Sequence, residues 1–247
     1  MTTHRKAPRI HVAADFIVGG DVVLPEGPAR HVARVLRLGE GAPLRLFDGM
    51  GQEASALLVE ASRKRVVARI ESVAAGGGES PLAVHLGQAI SKGDRMDYAI
   101  QKAVELGVAA ITPLYTEHGD VRLKGEREAK KLAHWQAVAA SACEQCGRAV
   151  VPPVHPPLAL AEWLAERGEA LRLVLHPATD AQGGLERETA PVGVALLIGP
   201  EGGLAEDEVE AARAAGFAAL TLGPRILRTE TAPVVALSLL QYRFGDL

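Results

Sequence analysis

Two segments, one rich in glycine and one that contains two arginines, hold the residue types best suited to chemistry. Residues 198–204 read IGPEGGL and place Glu201 among three glycines. Glycine tolerates positive φ and lets the backbone approach a ligand closely. Residues 222–233 read LGPRILRTETAP and carry Arg225, Arg228 and Glu230. Because charged side chains accompany unpaired backbone groups in both segments, the pair could bind a small polar ligand that has a carboxylate and a ribose.

Neither segment contains the dinucleotide-binding fingerprint. That fingerprint requires G-x-G-x-x-G and an acidic residue about 20 positions later. The spacing here is G-x-x-G-G, and residues 220–222 supply no acid. A nicotinamide-dependent dehydrogenase is therefore disfavoured, while a purely structural glycine turn at residues 198–204 remains an alternative.

The elements after residue 81 alternate between apolar strands and amphipathic helices. This alternation predicts an α/β domain with a mainly parallel sheet. The predicted strands are residues 82–89, 109–114, 171–175, 192–198 and 218–222, and the predicted helices are residues 95–105, 126–145, 206–215 and 231–242. Residues 198–204 and 222–233 thus follow strands that we predict to be neighbours. Both segments should lie at the carboxyl edge of the sheet, where ligands bind in such folds.

The first part of the chain has a different pattern. Short runs rich in Val, Leu and Ile at residues 43–47, 54–60 and 65–73 predict a small antiparallel sheet or barrel over residues 1–74. Three consecutive glycines followed by Ser-Pro predict a linker at residues 75–81.

One helix, predicted at residues 29–38, interrupts these strands. Its apolar side would consist of Val32, Val35 and Leu36. Helical spacing then places Arg30, Arg34 and Arg37 together on the opposite face. Three arginines on one face could bind phosphates. An ordinary solvated face is the alternative.

Composition and charge limit the classes of protein that remain. Residues AVILMFWYC make up 48% of the chain and the net charge is −3, which excludes a disordered chain and nucleic-acid binding through bulk positive charge. Residues 1–78 contain 11 basic and 8 acidic residues, whereas residues 79–247 contain 16 and 22. The first part is therefore basic and the second acidic, which hints at a basic module beside an acidic one.

The two cysteines and the polar start of the sequence predict a cytoplasmic protein. Two cysteines cannot form a disulfide framework. No apolar run approaches the roughly 20 residues of a membrane helix. Cys143 and Cys146 form a C-x-x-C motif without a second pair or a nearby histidine, so no metal site is expected.

The segments IGPEGG and LGPRILRTETA together resemble the paired signature of the SPOUT methyltransferases. More specifically, the chain resembles the bacterial ribosomal RNA small subunit methyltransferase E type, which methylates N3 of one uridine in 16S ribosomal RNA. HVARVLRLGEG, LFDGMGQE, SKGDRMDYAIQKAVELGV and EQCGR are similar to further stretches of that family. The resemblance implies a PUA-like RNA-binding β-barrel over residues 1–74 and a SPOUT trefoil-knot domain over residues 82–247. It also implies a homodimer formed through the knot domain.

The resemblance also implies S-adenosylmethionine as the cofactor. The residues expected to bind it are Leu175, His176, Ile198, Gly199, Pro200, Glu201, Gly202, Gly203, Leu222, Gly223, Pro224, Ile226, Leu227, Arg228 and Thr229. Three features depart from the family pattern, one of which is that residues 8–12 are less aromatic than is usual. His118 stands where an arginine is expected, and Ala205 replaces a serine N-cap at a cost of about 1 kcal/mol to the helix start.

The chemistry of the implied reaction assigns roles to Glu201, Arg228 and Glu230. Methyl transfer from a sulfonium is an in-line displacement that depends on positioning. Uridine N3 must lose a proton to become a nucleophile, and Glu230 and Glu201 are the candidate bases. Arg228 is expected to stabilise the uridine anion. Alternatively, Arg228 and Glu230 pair with each other or with a partner subunit.

The expected macromolecular partner is 16S ribosomal RNA or the 30S subunit. The residues expected to contact RNA are Arg9, Arg30, Arg34, Arg37, Lys92, Arg95, Arg148 and Arg225. A SPOUT methyltransferase for another RNA, such as tRNA, and a non-catalytic RNA-binding assembly factor are the alternatives. The intact residues 222–233 argue against the second of these.

Overall fold

A computed structural model describes residues 7–62, 64–176, 185 and 189–247. Its internal contacts divide the chain into two units. Unit 1 comprises Met1–Glu79 and Cys143–Val151, and unit 2 comprises Ser80–Ala142 and Pro152–Leu247. The predicted domain boundary at residues 75–81 places residues 143–151 in the second domain. In the structure, the contacts of residues 143–151 place them in unit 1.

Unit 1 is built on a five-stranded sheet. The strands are β1 (Arg9–His11), β2 (Asp21–Val23), β3 (Pro43–Phe47), β4 (Gln52–Ala61) and β5 (Val66–Ala75). Their order is β1-β3-β4-β5-β2. β1 is parallel to β3, and the other pairs are antiparallel. The predicted strands correspond to β3, β4 and β5. The pairings of the described residues leave β1 and β2 as the two edges of the sheet.

The arginine-bearing helix differs from its prediction. It begins at Glu26 as α1 (Glu26–Arg30) and continues as a π-helix over His31–Val35. Because a π-helix bonds i to i+5, the 3.6-residue spacing no longer applies. Val35 is 66% exposed, so its predicted apolar position is wrong. Arg37 lies beyond the helix with φ of 53°, so the three arginines do not share one helical face.

Unit 2 contains a six-stranded parallel sheet. Its strands are β6 (Ala83–Ala89), β7 (Ala110–Tyr115), β8 (Leu158–Ala159), β9 (Leu171–Leu175), β10 (Gly193–Ile198) and β11 (Ala218–Leu220). Their order is β11-β9-β10-β6-β7-β8. The predicted parallel sheet is confirmed, since all described pairs are parallel. The prediction that β10 and β11 are neighbours is wrong, because β9 lies between them.

Five helices among the described residues accompany this sheet. They are α2 (Asp94–Glu105), α3 (Glu126–Cys146), α4 (Leu160–Ala165), α5 (Glu206–Ala214) and α6 (Ala232–Phe244). The sequence predicted all but α4, with ends within two residues. The buried indole of Trp163 on α4 packs against Gly87, where a Cβ would lie 2.7 Å from the ring. No helix among the described residues is long and apolar enough to cross a membrane.

Candidate active site

A cavity of about 570 Å³ opens at the carboxyl ends of β9, β10 and β11. This volume lies in the range typical of small-molecule sites. Its lining includes every residue predicted to bind the cofactor, together with Arg95, Leu204, Leu220, Thr221, Arg225, Glu230 and Ala232. The segments after β10 and β11 therefore meet at one site, although β9 separates their strands.

The glycines of the cavity wall have distinct structural requirements. Gly203 and Gly223 have φ of 76° and 77°, a region that side chains rarely adopt. A Cβ added at either position would meet no protein atom within 4 Å. At Gly199, an added Cβ would lie 3.1 Å from Leu204 Cγ. The first two glycines thus leave open space beside the backbone, and the third permits close packing of the loop.

The segment after β7 forms hydrogen bonds with residues 198–204, the glycine-rich loop, and with the start of α5. His118 Nδ1 lies 3.1 Å from Gly203 O. Because a carbonyl only accepts, His118 Nδ1 carries the proton. The Glu208 carboxylate accepts from the backbone N–H of Glu117 at 2.8 Å and of Ala205 at 2.9 Å. Glu208 therefore supplies half of a capping box at Ala205, where no serine hydroxyl is available.

The two candidate bases have different partners. Glu201 forms a 2.8 Å ion pair with Arg95. Glu230 Oε2 is buried and accepts no hydrogen bond from the residues that the structure describes. Arg228 is exposed at the cavity. None of the ion pairs within the described ranges joins Arg228 to Glu230, so the predicted alternative of a mutual pair is not observed.

A chain of buried hydrogen bonds connects residues 222–233, the arginine-bearing segment, to the sheet. Gln88 Nε2 donates to Thr229 Oγ1 at 3.1 Å, and Thr229 Oγ1 donates to Gly199 O at 2.9 Å. Gln88 is fully buried at the end of β6. Sequence reasoning did not identify Gln88 as a functional residue. A single glutamine at the carboxyl end of an apolar strand was the available signal.

Two of the predicted RNA-contacting residues have internal roles instead. The Arg9 side chain is 12% exposed, pairs with Glu53 and donates to the carbonyls of Cys143 and Arg148 at 2.6 and 3.1 Å. The Arg148 side chain is 6% exposed and lies 2.7 Å from Glu79. Both side chains hold residues 143–151 in unit 1. We therefore correct the prediction and exclude Arg9 and Arg148 from the RNA-contacting set.

The remaining predicted RNA contacts are exposed. Arg30, Arg34 and Arg37 take part in none of the ion pairs formed by the described parts of unit 1. In unit 2, Lys92 forms an exposed ion pair with Asp120 at 2.6 Å. Arg225 is an exposed residue of the cavity wall. No group of acidic, histidine or cysteine side chains among the described residues could hold a metal ion.

Comparison with known proteins identifies both parts of the chain. Residues 78–241 match the RNA methyltransferase domain family, and residues 24–71 match the RNA methyltransferase PUA domain family. Ribosomal RNA small subunit methyltransferase E of Buchnera aphidicola is 34% identical over 245 residues, which cover 98% of this chain and 96% of that protein.

Two solved structures share the complete architecture. A methyltransferase from Legionella pneumophila, solved with bound SAM, is 43% identical with a TM-score of 0.95, covering 98% of this chain and 100% of that one. Ribosomal RNA small subunit methyltransferase E from Neisseria gonorrhoeae, bound to S-adenosyl methionine, is 40% identical with a TM-score of 0.89, covering 98% and 99%. With its PUA-like domain and its SPOUT-type α/β domain, the chain belongs to the ribosomal RNA small subunit methyltransferase E family.

Proposed function

We propose that this chain transfers the methyl group of S-adenosylmethionine to N3 of a uridine in 16S ribosomal RNA. The observation that carries the proposal is the cavity at the carboxyl edge of the parallel sheet. Its lining combines the glycine-rich backbone of residues 198–203 with the side chains of Arg228 and Glu230. Relatives crystallised with the cofactor support this assignment. A ribosomal RNA substrate implies action in the cytoplasm.

The cavity suits the cofactor on structural grounds. Open space beside Gly203 and Gly223 gives a ligand access to backbone amides and carbonyls. Glu230 Oε2 is buried without a protein donor, and an unpaired buried carboxylate oxygen is costly. The N3–H of a uridine bound beside the cofactor would remove that cost. The backbone of residues 198–203 and 222–227 would hold the cofactor. When bound, S-adenosylmethionine supplies an electrophilic methyl group on its sulfonium.

Glu230 is the better placed of the two candidate bases. The Glu201 carboxylate is held by Arg95, so its charge is already compensated. The Glu230 carboxylate has an oxygen that no described donor occupies. Glu230 would accept the proton from uridine N3, because that nitrogen is a poor nucleophile while protonated. Arg228 would stabilise the negative charge that then develops on uridine O2 or O4.

RNA contacts are proposed separately for each unit. In unit 1, Arg30, Arg34 and Arg37 present exposed guanidinium groups that suit phosphates. In unit 2, Lys92, Arg95 and Arg225 lie in the segments that follow β6 and β11. Contacts to phosphates position an RNA but carry no sequence information. Uridine selection would therefore depend on the cavity.

We also infer that the protein forms a homodimer through unit 2. α6 buries Ala236, Leu237 and Leu240 on one side, yet its other side carries Leu239 and Tyr242. Large apolar side chains that are exposed on a packed helix suit a protein–protein interface. A second copy of this helix would cover the exposed residues.

The substrate can be tested in cells and then with purified protein. Mass spectrometry of 16S ribosomal RNA from a deletion strain should show the loss of one N3-methyluridine. Incubation of that RNA, or of 30S subunits from the same strain, with protein and S-adenosylmethionine should restore it. Persistence of the modification in the deletion strain would refute the substrate assignment. Calorimetry that finds no cofactor binding to the folded protein would refute the activity itself.

A further inference from the structure

The strongest unassigned feature is the buried chain that joins Gln88, Thr229 and Gly199. Gln88 Nε2 donates to Ala89 O at 3.3 Å and to Thr229 Oγ1 at 3.1 Å. The Thr229 hydroxyl donates to Gly199 O at 2.9 Å. The chain therefore links the end of β6, the glycine-rich loop and the arginine-bearing segment. Both Gln88 and Thr229 are buried.

The direction of every bond in this chain is fixed by its ends. Ala89 O and Gly199 O are carbonyl oxygens and can only accept. The Thr229 hydroxyl must therefore use its single proton toward Gly199. Its oxygen then needs a donor, and Gln88 must present its amide nitrogen rather than its oxygen. A rotated amide would set Gln88 Oε1 against Ala89 O.

This arrangement has a cost that a purely structural residue would avoid. Gln88 Oε1 is buried and has no donor among the described residues. Leaving a buried acceptor unsatisfied is unfavourable, whereas apolar groups of the same shape can fill such a space at little cost. A buried group left unsatisfied in this way calls for an explanation, and a functional constraint is one.

We propose that Gln88 is a positioning residue that fixes the Arg228–Glu230 segment over the glycine-rich loop. Thr229 lies between Arg228 and Glu230 in the chain. Anchoring its side chain from β6 restricts the backbone on both sides. Gln88 acts through Thr229 and is not assigned a contact with the substrate. The catalytic part of this inference rests on the proposed function, whereas the anchoring itself does not.

Four variants test the anchor: Gln88→Met, Thr229→Val, the double variant, and Thr229→Ser. The first two remove the hydrogen bonds with little change in volume, and Thr229→Ser retains the hydroxyl. In cofactor-free protein, hydrogen exchange of amides 225–232 should become about tenfold faster in Gln88→Met and Thr229→Val, as expected for one lost hydrogen bond. Thr229→Ser should exchange like the wild type.

The same variants are then assayed for single-turnover methylation of 16S ribosomal RNA at saturating cofactor. Gln88→Met and Thr229→Val should slow methyl transfer by roughly ten- to a hundredfold, since small misplacements at a reacting centre are costly. Because both variants interrupt one chain, the double variant should be no slower than the slower single variant.

Thr112→Val provides a matched control. Its buried hydroxyl also bonds within this sheet, 2.8 Å from His85 Nε2, and His85 lies on the face of β6 opposite Gln88. It should alter neither the exchange of amides 225–232 nor the rate. Unchanged exchange in Gln88→Met would overturn the inference, as would multiplicative effects in the double variant. If wild-type protein methylates no uridine, the proposed function fails, and the exchange data alone decide the anchoring.

Discussion

At the cavity, two glutamates with the same side chain have different electrostatic surroundings. Glu201 lies against Arg95, whereas Glu230 keeps a buried oxygen without a described donor. The Glu201 carboxylate is engaged by a guanidinium, whereas one oxygen of the Glu230 carboxylate is open to a donor from a ligand. The environment of each carboxylate therefore separates two residues that sequence reasoning left as equal candidates.

Replacing Glu230 tests this assignment. Glu230→Gln should lower kcat for methyl transfer by about 10²- to 10⁴-fold, because loss of a general base has effects of this size. Glu201→Gln should cause a smaller loss, since its carboxylate already pairs with Arg95. Both rates are measured at saturating cofactor, with cofactor affinity followed by calorimetry. A larger loss in Glu201→Gln than in Glu230→Gln would make Glu201 the base.

A second residue-scale effect is the response of unit 2 to acid. Burial, together with the nearby Arg167 and His155, lowers the pKa of His85 to about 3. An unfolded histidine has a pKa near 6.5, so between these values the unfolded chain binds more protons. The free energy of unfolding should therefore fall as pH decreases below about 6.5, by up to roughly 1.4 kcal/mol per pH unit from this group.

Urea denaturation at pH 7 and pH 5 measures this dependence. His85→Gln cannot titrate, so its unfolding free energy should change less over the same interval. The wild type and the variant differ only in this group, which cancels the contributions of other residues. An identical pH dependence in both proteins would contradict the assignment of the buried neutral histidine.

At the scale of elements, the long helices were predicted and several of the shortest strands were missed. α2 and α3 span 12 and 21 residues, which gives apolar spacing enough turns to be recognised. β1 and β2 have three residues each and β8 has two, so periodicity gives no signal for them. The π-helix was missed because helical patterns assume 3.6 residues per turn. Sequence order also could not reveal that β9 lies between β10 and β11.

The same limit applies to the site. The glycine-rich loop and the arginine-bearing segment were found because their residues are contiguous in the sequence. Gln88 was missed because its partner Thr229 is 141 positions away. Arg9 was misassigned for a related reason, since Glu53 is separated from it by 44 positions. The sequence therefore did not reveal that the Arg9 side chain is largely buried against distant partners.

The start of α5 offers a test of capping. Ala205 is the N-cap residue and has the extended backbone, with φ of −67° and ψ of 159°, that a capping side chain requires. Ala205→Ser should raise the free energy of unfolding by about 1 kcal/mol. Ala214→Ser is the control, because Ala214 is the last residue of the same helix, where the backbone N–H groups already have partners. The added hydroxyl should therefore not raise the free energy of unfolding. Thermal and urea unfolding of both variants measure the difference, and equal effects would contradict the capping argument.

The arginine-bearing helix of unit 1 makes a prediction about salt. Arg34→Ala should weaken RNA binding and reduce the slope of log K against log salt by about one, because one phosphate contact is lost. Arg69→Ala is the matched control, since Arg69 is exposed in the same unit but pairs with Asp21 at 2.8 Å. Filter binding over a salt series gives both slopes. Equal changes for the two variants would show that Arg34 has no specific contact.

At the scale of the whole molecule, net charge describes the protein poorly. The net charge of the whole chain is −3, although the first 78 residues contain three more basic than acidic residues. Electrostatic attraction to RNA acts over about a Debye length of 8–10 Å, so the local charge of each unit matters more than the sum. A dimer would contribute two such basic units to one RNA.

The proposed dimer rests on the exposed apolar residues of α6. Leu239 and Tyr242 are 38% and 77% exposed on a helix whose other side is packed in unit 2. A charge at Leu239 would have to be desolvated in an interface between two copies, at a cost of several kcal/mol. Leu239→Glu should therefore shift the protein from dimer to monomer in light scattering coupled to size exclusion.

Val192→Glu is the control for this variant. It places the same charge on an equally apolar residue of unit 2 that is 92% exposed, and it should leave the measured mass unchanged. A Leu239→Glu variant that stays dimeric would place the interface elsewhere, and a monomeric wild type would exclude it. Because the proposed interface would bury α6, which begins two residues after Glu230, the monomeric variant should also lose methyl transfer while its secondary structure, followed by circular dichroism, is retained.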